Sequence, residues 1–394
     1  MKILVLVKVF TFILAVFFSL PGECLSGERL VRTRLDVPVG LKTPPFDVER
    51  FLYAPPGFRV SVFATGLSRP RFMAVGPDGF IYVTETGSGE VVVLPDKNGD
   101  GVADKKAVFA SGLDSPHAIA FRGKEVIVAE TGRLTLLTDT DTDLRADIKK
   151  VLSGDIPAGG GHSTRTVVIG PDGHFYVSNG SSCNVCIERD KKRAAVLKIP
   201  PEGGKSEIYA TGLRNSVGIV FHPETGELWG VDNGRDWLGD DLPPEELNRI
   251  KVGSDYGWPY CYGDRIPDPD YGSLERCKGT VAPEVKMQAH SAPLGIGFGY
   301  GLKFGYEYED ALYIAFHGSW NRDVPTGYKL VAIPFRDGRP ASDSPVDFIT
   351  GWLVEGGAWG RPVFPLVGPD GALYLSDDRA GAVYRITRET DSRD

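Results

Sequence analysis

Apolar residues along this chain fall in short runs, many alternating with polar ones and each boxed by Gly, Pro or Asp. Three of these segments are near copies: "GPDGFIYV" (76–83), "GPDGHFYV" (170–177) and "GPDGALYL" (368–375). Looser versions are "GKEVIVA" (123–129), "TGELWGV" (225–231) and "EDALYIA" (309–315). Each joins a tight turn to a run of β-formers, with Tyr82, Ile127, Tyr176, Trp229, Tyr313 and Tyr374 at matching positions. A second element precedes some copies: "FATGLSRP" (63–70), "FASGLDSP" (109–116) and "YATGLRNS" (209–216). Six units rich in strand and turn predict an all-β fold, a six-bladed β-propeller. The strand Phe58–Ala64 precedes the first complete unit, so it is expected to join the last blade and close the ring. The long interval through Pro243 to Gln288 reads as loops of the fourth blade rather than a further domain.

Composition agrees with many short strands. Glycine (49 residues) and proline (29) are abundant in a chain of 394 residues that is 42% hydrophobic, enough for one large domain. The net charge of −8, with no basic stripe or tail, argues against a nucleic-acid partner. Lys2 precedes a run, Ile3 to Leu20, that is largely apolar and ends at Pro21-Gly22-Glu23-Cys24. It reads as a signal peptide over 1–22, with an uncleaved anchor as the alternative. A 23–49 extension, a propeller over 50–388 and a 389–394 tail complete the expected organisation, with no integral membrane domain once the signal is removed. Export to a periplasmic or secreted location suits the cysteines. Cys183 with Cys186, and Cys261 with Cys277, are the simplest local disulfides, and a zinc site is the weaker rival.

In a propeller, the loop entering each innermost strand opens around the central channel. Those entries carry Arg69 and Arg71, His117, His162 and Arg165, Arg214 and Asn215, His290, and Arg361. A cationic ring in an acidic chain implies an anionic ligand on the axis, and arginine grips carboxylates with paired hydrogen bonds.

"GGGHSTRTVVIGPDG", "GLRNSVGIVFHPETGELWGVDNGRD", "LPPEELNRIKVGSDYGWPYCYGD", "HSAPLGIGF" and "HGSWNR" together resemble the glucose/sorbosone dehydrogenase family over roughly residues 50 to 390. That resemblance implies a soluble six-bladed propeller using pyrroloquinoline quinone (PQQ) and calcium (Ca2+). It implies that His162 is the general base for a sugar hydroxyl, titrating near neutrality. Arg214 and Asn215 would contact the quinone, Asn233 would place an amide beside it, and His290 would lie near the cofactor. Arg361, and with it Arg71 and Arg322, would face the cofactor carboxylates. The backbone carbonyls of Gly234 and Arg235 would hold the active-site calcium, and Glu246 and Tyr256 a second, structural one. Gly161 and Ser181 depart from the acids that flank the base in the glucose enzymes, which puts the chain nearer the sorbosone and fungal pyranose branch. The implied substrate is an aldose or sugar aldehyde, with electrons passing to a cytochrome or quinone.

Two acidic loops add candidate calcium ligands: Asp96, Asn98, Asp100 and Asp104 in the first, and Asp139, Asp141, Asp143 and Asp147 in the second. Trp258 and Trp320 are candidates for stacking on a sugar. No glycine fingerprint for a nicotinamide cofactor is present. Two rival functions stay open: a calcium-dependent propeller lactonase, and a non-catalytic propeller that binds carbohydrate or protein.

Overall fold

The computed structural model describes residues 29–389. The expected signal peptide, Cys24 and the residues after 389 lie outside the described residues.

Six antiparallel blades of four main strands surround an axis. Their innermost strands are Pro70–Val75, Ala118–Arg122, Arg165–Ile169, Gly218–Phe221, Pro293–Phe298 and Pro362–Val367. Each contacts the next, and the sixth contacts the first, so the ring is closed. The closure is the one expected from the sequence: Phe58–Ala64 pairs antiparallel with Ala382–Arg388 as the outer strand of blade 6.

The repeated turn has a clear cause. The carboxylates of Asp78, Asp172 and Asp370 accept the backbone N–H two residues on and the hydroxyl of Tyr82, Tyr176 and Tyr374 respectively, the latter at 2.9, 3.0 and 3.2 Å. A Cβ at the leading Gly76, Gly170 or Gly368 would meet that tyrosine ring at 2.5, 2.5 or 2.2 Å. Glycine, aspartate and tyrosine therefore recur together because each needs the other two. The tyrosines then pack edge-on against aromatic rings, as Tyr82 does on Phe109 and Phe121, and Tyr176 on Tyr209 and Phe221.

The interval 243–288 holds the two outer strands of blade 4, a ribbon of Cys261–Tyr262 with Ile266–Pro267, and the short helix Leu274–Cys277. The disulfide Cys261–Cys277 pins this excursion, and Cys183–Cys186 closes a loop in blade 3. The sulfurs are bonded to one another, so the zinc alternative falls. Ahead of the ring, Val31–Arg34 pairs with Phe51–Ala54. Leu35, Phe46, Leu52 and Ala54 bury against Trp352, Trp359 and Tyr384. The N-terminal extension is thus packed onto the outside of the ring. No helix among the described residues is long and apolar enough to cross a membrane.

Candidate functional site

Entry loops to the inner strands and exits from the second strands share one face of the ring, because those strands run antiparallel. A recurring device fixes the entry loops. A buried acid ending the second strand of a blade accepts backbone N–H groups from the entry loop beside it. Glu85 accepts from Ser68, Glu130 from Asp114, Asp232 from Arg214 and Asn215, and Asp377 from Arg361. Sequence reading passed over these acids, although "VTETG", "VAETG", "VDNG" and "LSDD" all place one at the strand end.

His162 sits in the loop entering blade 3. A Cβ at Gly160, whose φ is +84°, would lie 2.7 Å from the Ser182 Cα, and the Gly161 N–H donates to the Ser182 carbonyl at 2.8 Å. The glycine run lets this loop press onto its neighbour. Gly180 does the same from the other side, since a Cβ there would lie 2.7 Å from the His162 Cβ and 2.8 Å from the Asn215 Oδ1. His162 and Asn215 are therefore close neighbours across two blades.

The His162 Nδ1 lies 3.0 Å from the Ser181 carbonyl and 2.9 Å from the Ser181 Oγ. That hydroxyl donates to the Cys183 carbonyl at 2.7 Å, so both Ser181 oxygens face the ring as acceptors. The proton is thereby fixed on Nδ1 and Nε2 keeps a bare lone pair. Burial lowers the His162 pKa to about 4, and the nearby Arg214 adds to the effect. This corrects the expectation of a histidine titrating near neutrality: Ser181 orients the ring as the missing acid would, but supplies no negative charge to raise its basicity.

Arg214 is buried and fully engaged. Its Nε donates to the Asn184 carbonyl (2.8 Å), and its terminal nitrogens donate to the Asn233 carbonyl (3.0 Å) and the Asn184 Oδ1 (2.9 Å), with Asp236 at 3.4 Å. Asn184 lies inside the Cys183–Cys186 loop, so that disulfide bears on the site. The Asn233 Nδ2 donates to the carbonyls of Pro293 (2.8 Å) and Asn215 (3.2 Å). Arg165 is buried with its guanidinium on the Pro157, His162 and Thr164 carbonyls, so it shapes the loop and is not a free cation of the axial ring.

A cavity of about 520 Å³ opens on the same face, lined by Arg69, Arg71, Thr86, Ser115, His117, Ser163, Thr164, His317, Arg361, Asp378 and Arg379. Arg71 is ion-paired to Asp378 (2.5 Å) and touches the His117 Nε2 at 3.2 Å. Asp378 also accepts from the His317 Nε2 at 2.8 Å. Burial raises the Asp378 pKa, but the bonds from His317 and Arg71 outweigh it and hold the carboxyl at about 2. Burial takes His317 down to about 4. Arg361 lines the cavity while donating to the His317 (3.0 Å) and Gly318 (2.6 Å) carbonyls. Arg69 and Arg379 are exposed, with no ion-pair partner among the described residues. His317, Asp378 and Arg379 were missed in the sequence, since only the fold brings blades 5 and 6 against blade 1 here.

Of the residues expected to meet the cofactor or act on substrate, Arg71 and Arg361 line this cavity; His162, Arg214, Asn215 and Asn233 do not, although Ser163 and Thr164 beside His162 do, and Arg322 and His290 lie elsewhere. Arg322 donates to the Asp240, Ala289 and Val324 carbonyls, with Asp241 at 3.4 Å, so it clasps two loops together and does not line the cavity. The His290 Nε2 donates to the Gly239 carbonyl at 2.8 Å and its Nδ1 accepts from Asn321, so it too bridges loops.

Gly234, Arg235, Glu246 and Tyr256, read as two calcium sites, line one small cavity of about 20 Å³ with Asp232 and Asp268. That is room for one water-sized occupant. Burial raises Asp232 to about 6 and Glu246 to about 7, and takes neighbouring Glu245 to about 8. The Gly234 and Arg235 carbonyls accept no hydrogen bond from the described residues. The Arg235 side chain is already neutralised by Asp268 and Asp270. The Tyr256 hydroxyl donates to the Arg249 carbonyl. Glu246 already accepts from Gly263 and Asn248, and Asp232 from Arg214, Asn215 and Ser216, so a hard cation here would use the remaining lone pairs of these buried carboxylates with the two unpartnered carbonyls.

The first acidic loop spends its oxygens on itself. Asp96 accepts from Gly99, Asp100 and Gly101, Asp104 accepts from Lys97, and the Asn98 amide donates to Asp100. The second loop brings the carboxylates of Asp139, Asp141 and Asp147 within 4.8 Å of one another. Trp258 is half-buried against the small cavity, whereas Trp320 is 66% exposed.

The sequence profile of the TrAA12-like family matches residues 52–389. An uncharacterized protein of Borreliella burgdorferi is 31% identical over 87% of this chain and 92% of its own. A PQQ-dependent sugar dehydrogenase of Hypocrea jecorina is 26% identical over 86% of this chain and 85% of its own. A PQQ-dependent pyranose dehydrogenase of Coprinopsis cinerea is 25% identical over 84% of this chain but only 54% of its own length. Among solved structures, the calcium structure of the Trichoderma reesei AA12 enzyme superposes with a TM-score of 0.75 at 22% identity, over 85% of this chain and 96% of that one. The holo PQQ domain of the Coprinopsis enzyme gives 0.72 at 24% identity, over 86% and 97%. At these identities the structural likeness is one of fold.

Proposed function

The chain belongs to the TrAA12-like family, and on that premise we propose that it is a PQQ-dependent dehydrogenase oxidising a sugar at an aldose or aldehyde carbon. Bound PQQ supplies the acceptor for a hydride. The observation that carries the reading is His162, with Nδ1 anchored on Ser181 and Nε2 without a hydrogen bond from the described residues, directly preceding Ser163 and Thr164 in the lining of a cavity rimmed by arginines. Oxidation of a hydroxyl needs a base for the O–H proton, and Nε2 is free to take it. Because the ring stays neutral above pH ~4, the base is ready without first losing a proton. Asn215 offers an amide on the same wall. Arg214, held by Asn184 and Asn233, sets a fixed positive charge behind the ring.

The cofactor fits the site by size and charge. A cavity of about 520 Å³ is in the range of small-ligand sites, and Arg69, Arg361 and Arg379 would hold carboxylates at its rim. Calcium would take the Gly234 and Arg235 carbonyls with Glu246 and Asp232, and would stabilise negative charge nearby. Two disulfides support work in an oxidising compartment, periplasmic or extracellular, with an external electron acceptor.

The test is to load the protein with PQQ and Ca2+ and follow the quinone absorbance on adding sugars. Reduction by an aldose is expected. His162→Ala should still bind PQQ but lose turnover by about 10²–10⁴-fold, the usual worth of a general base. A variant with unchanged turnover would refute the assignment.

A further inference from the structure

Two tryptophans on the face of the candidate site are unexplained by folding. Trp237 is 69% exposed and Trp320 66%, and their rings meet edge to face at 5.3 Å between centroids. Trp237 follows the second strand of blade 4 and Trp320 the second strand of blade 5, so both stand where the entry loops open. Trp237 also holds φ at +73°, a conformation that costs energy for a bulky side chain. Here the strain secures no buried contact, since the ring remains in water. Exposed apolar surface and backbone strain at one residue together point to a ligand.

The pair is rigidly tied to the catalytic wall. Asp236, next to Trp237, accepts from the Asn321 amide at 2.9 Å, and Asn321 is next to Trp320. The same Asp236 faces Arg214 at 3.4 Å and exchanges hydrogen bonds with Asn184. A second clasp joins the two loops: the Asp323 N–H donates to Asp240, and Arg322 donates to the Asp240 carbonyl.

We propose that Trp237 and Trp320 form a platform for a neutral oligosaccharide, one ring of which stacks there while its terminal ring reaches His162. This rests on the sugar-dehydrogenase reading and narrows it to substrates longer than one ring. Two perpendicular indoles make a corner that suits the C–H face of a pyranose. Asp240, Asp241 and Asp323, three or four residues from the tryptophans on the same clasped loops, would accept hydrogen bonds from sugar hydroxyls. The same acids repel uronates, which favours an uncharged chain.

The test titrates the full-length protein, with and without PQQ and Ca2+, with glucose, maltotetraose and cellotetraose, read by tryptophan fluorescence and calorimetry. At least one tetraose should bind about 10-fold or more tightly than glucose. Trp237→Ala and Trp320→Ala should each remove that advantage with unchanged melting temperatures, and Trp237→Gly should do so while also relieving the backbone strain. Equal affinity for glucose and both tetraoses, or a preference surviving in all three variants, would overturn the platform. A tetraose that binds at the tryptophans while neither it nor glucose reduces PQQ would sink the dehydrogenase reading and leave the platform standing; glucose oxidation beside a bound but unoxidised tetraose would overturn the reach to His162. Glucose oxidation with no tetraose preference would do the reverse.

Discussion

The proposed base is His162, and its environment fixes a pH response. Its folded pKa lies near 4, below the usual ~6.5, so the neutral ring is favoured in the folded state. Turnover should therefore rise with pH through about 4 and stay level across neutrality. A rate–pH profile with a limb at 6–8 that disappears in His162→Ala would contradict this. Linkage gives the matching stability effect. His162 and His317 both bind protons more readily when unfolded, so each contributes stability that is lost as pH drops from about 6.5 toward 4, while the raised carboxyls of Asp232, Glu245, Glu246 and Asp377 act in the opposite sense. The histidine share is the difference in stability–pH slope between the protein and His162→Ala. The arginines separate by their bonds. Arg69 and Arg379 have no ion-pair partner among the described residues, so Ala at either should weaken PQQ binding about 10-fold, with the loss shrinking at high salt. A dissociation constant indifferent to both would place the anion elsewhere. The sequence pointed to His162, Asn215 and Arg361 as candidates because each lies at a strand entry, a position the repeat exposes. It could not show that Arg165 and Arg322 spend their charge on carbonyls, since those partners come from loop paths that no periodicity encodes.

At the scale of elements, the blades are alike and the links between strands differ. The strands were legible because turn chemistry and alternating β-formers repeat at each blade. The acids that pin the entry loops were not, because a single acid at a strand end looks like any solvated charge. Asp377 illustrates their weight. It accepts from the Arg361 and Ala380 N–H groups at 2.8 Å and from the Tyr384 hydroxyl at 3.0 Å, while burial pushes its carboxyl up to about 6. Asp377→Ala leaves these donors buried without an acceptor and should cost about 3 kcal/mol, measured by urea unfolding. Asp377→Asn keeps one acceptor oxygen and should cost less. The small cavity of blade 4 predicts that Ca2+ raises the melting temperature and that Glu246→Gln removes the rise. A thermal shift equal in both proteins would place any bound calcium elsewhere.

For the whole molecule, stability depends on closing the ring. The strand Ala382–Arg388 is paired on both sides only because Phe58–Ala64 returns to it. Deleting residues up to 64 would leave a bare, largely apolar edge in blade 6, and the product should appear as oligomers or aggregate by size-exclusion chromatography. A well-behaved monomer would show that the seam is dispensable. The seam also imposes a timetable. Among the strands of the ring, Phe58–Ala64 is the first to leave the ribosome, and its partner is the last. About 320 residues separate them, on the order of tens of seconds at ordinary rates of synthesis. For all that time the ring's first strand lacks the ladder partner that is not yet made. The chain is born in one order and locked in another, which leaves an interval in which cellular machinery can still handle it as a thread.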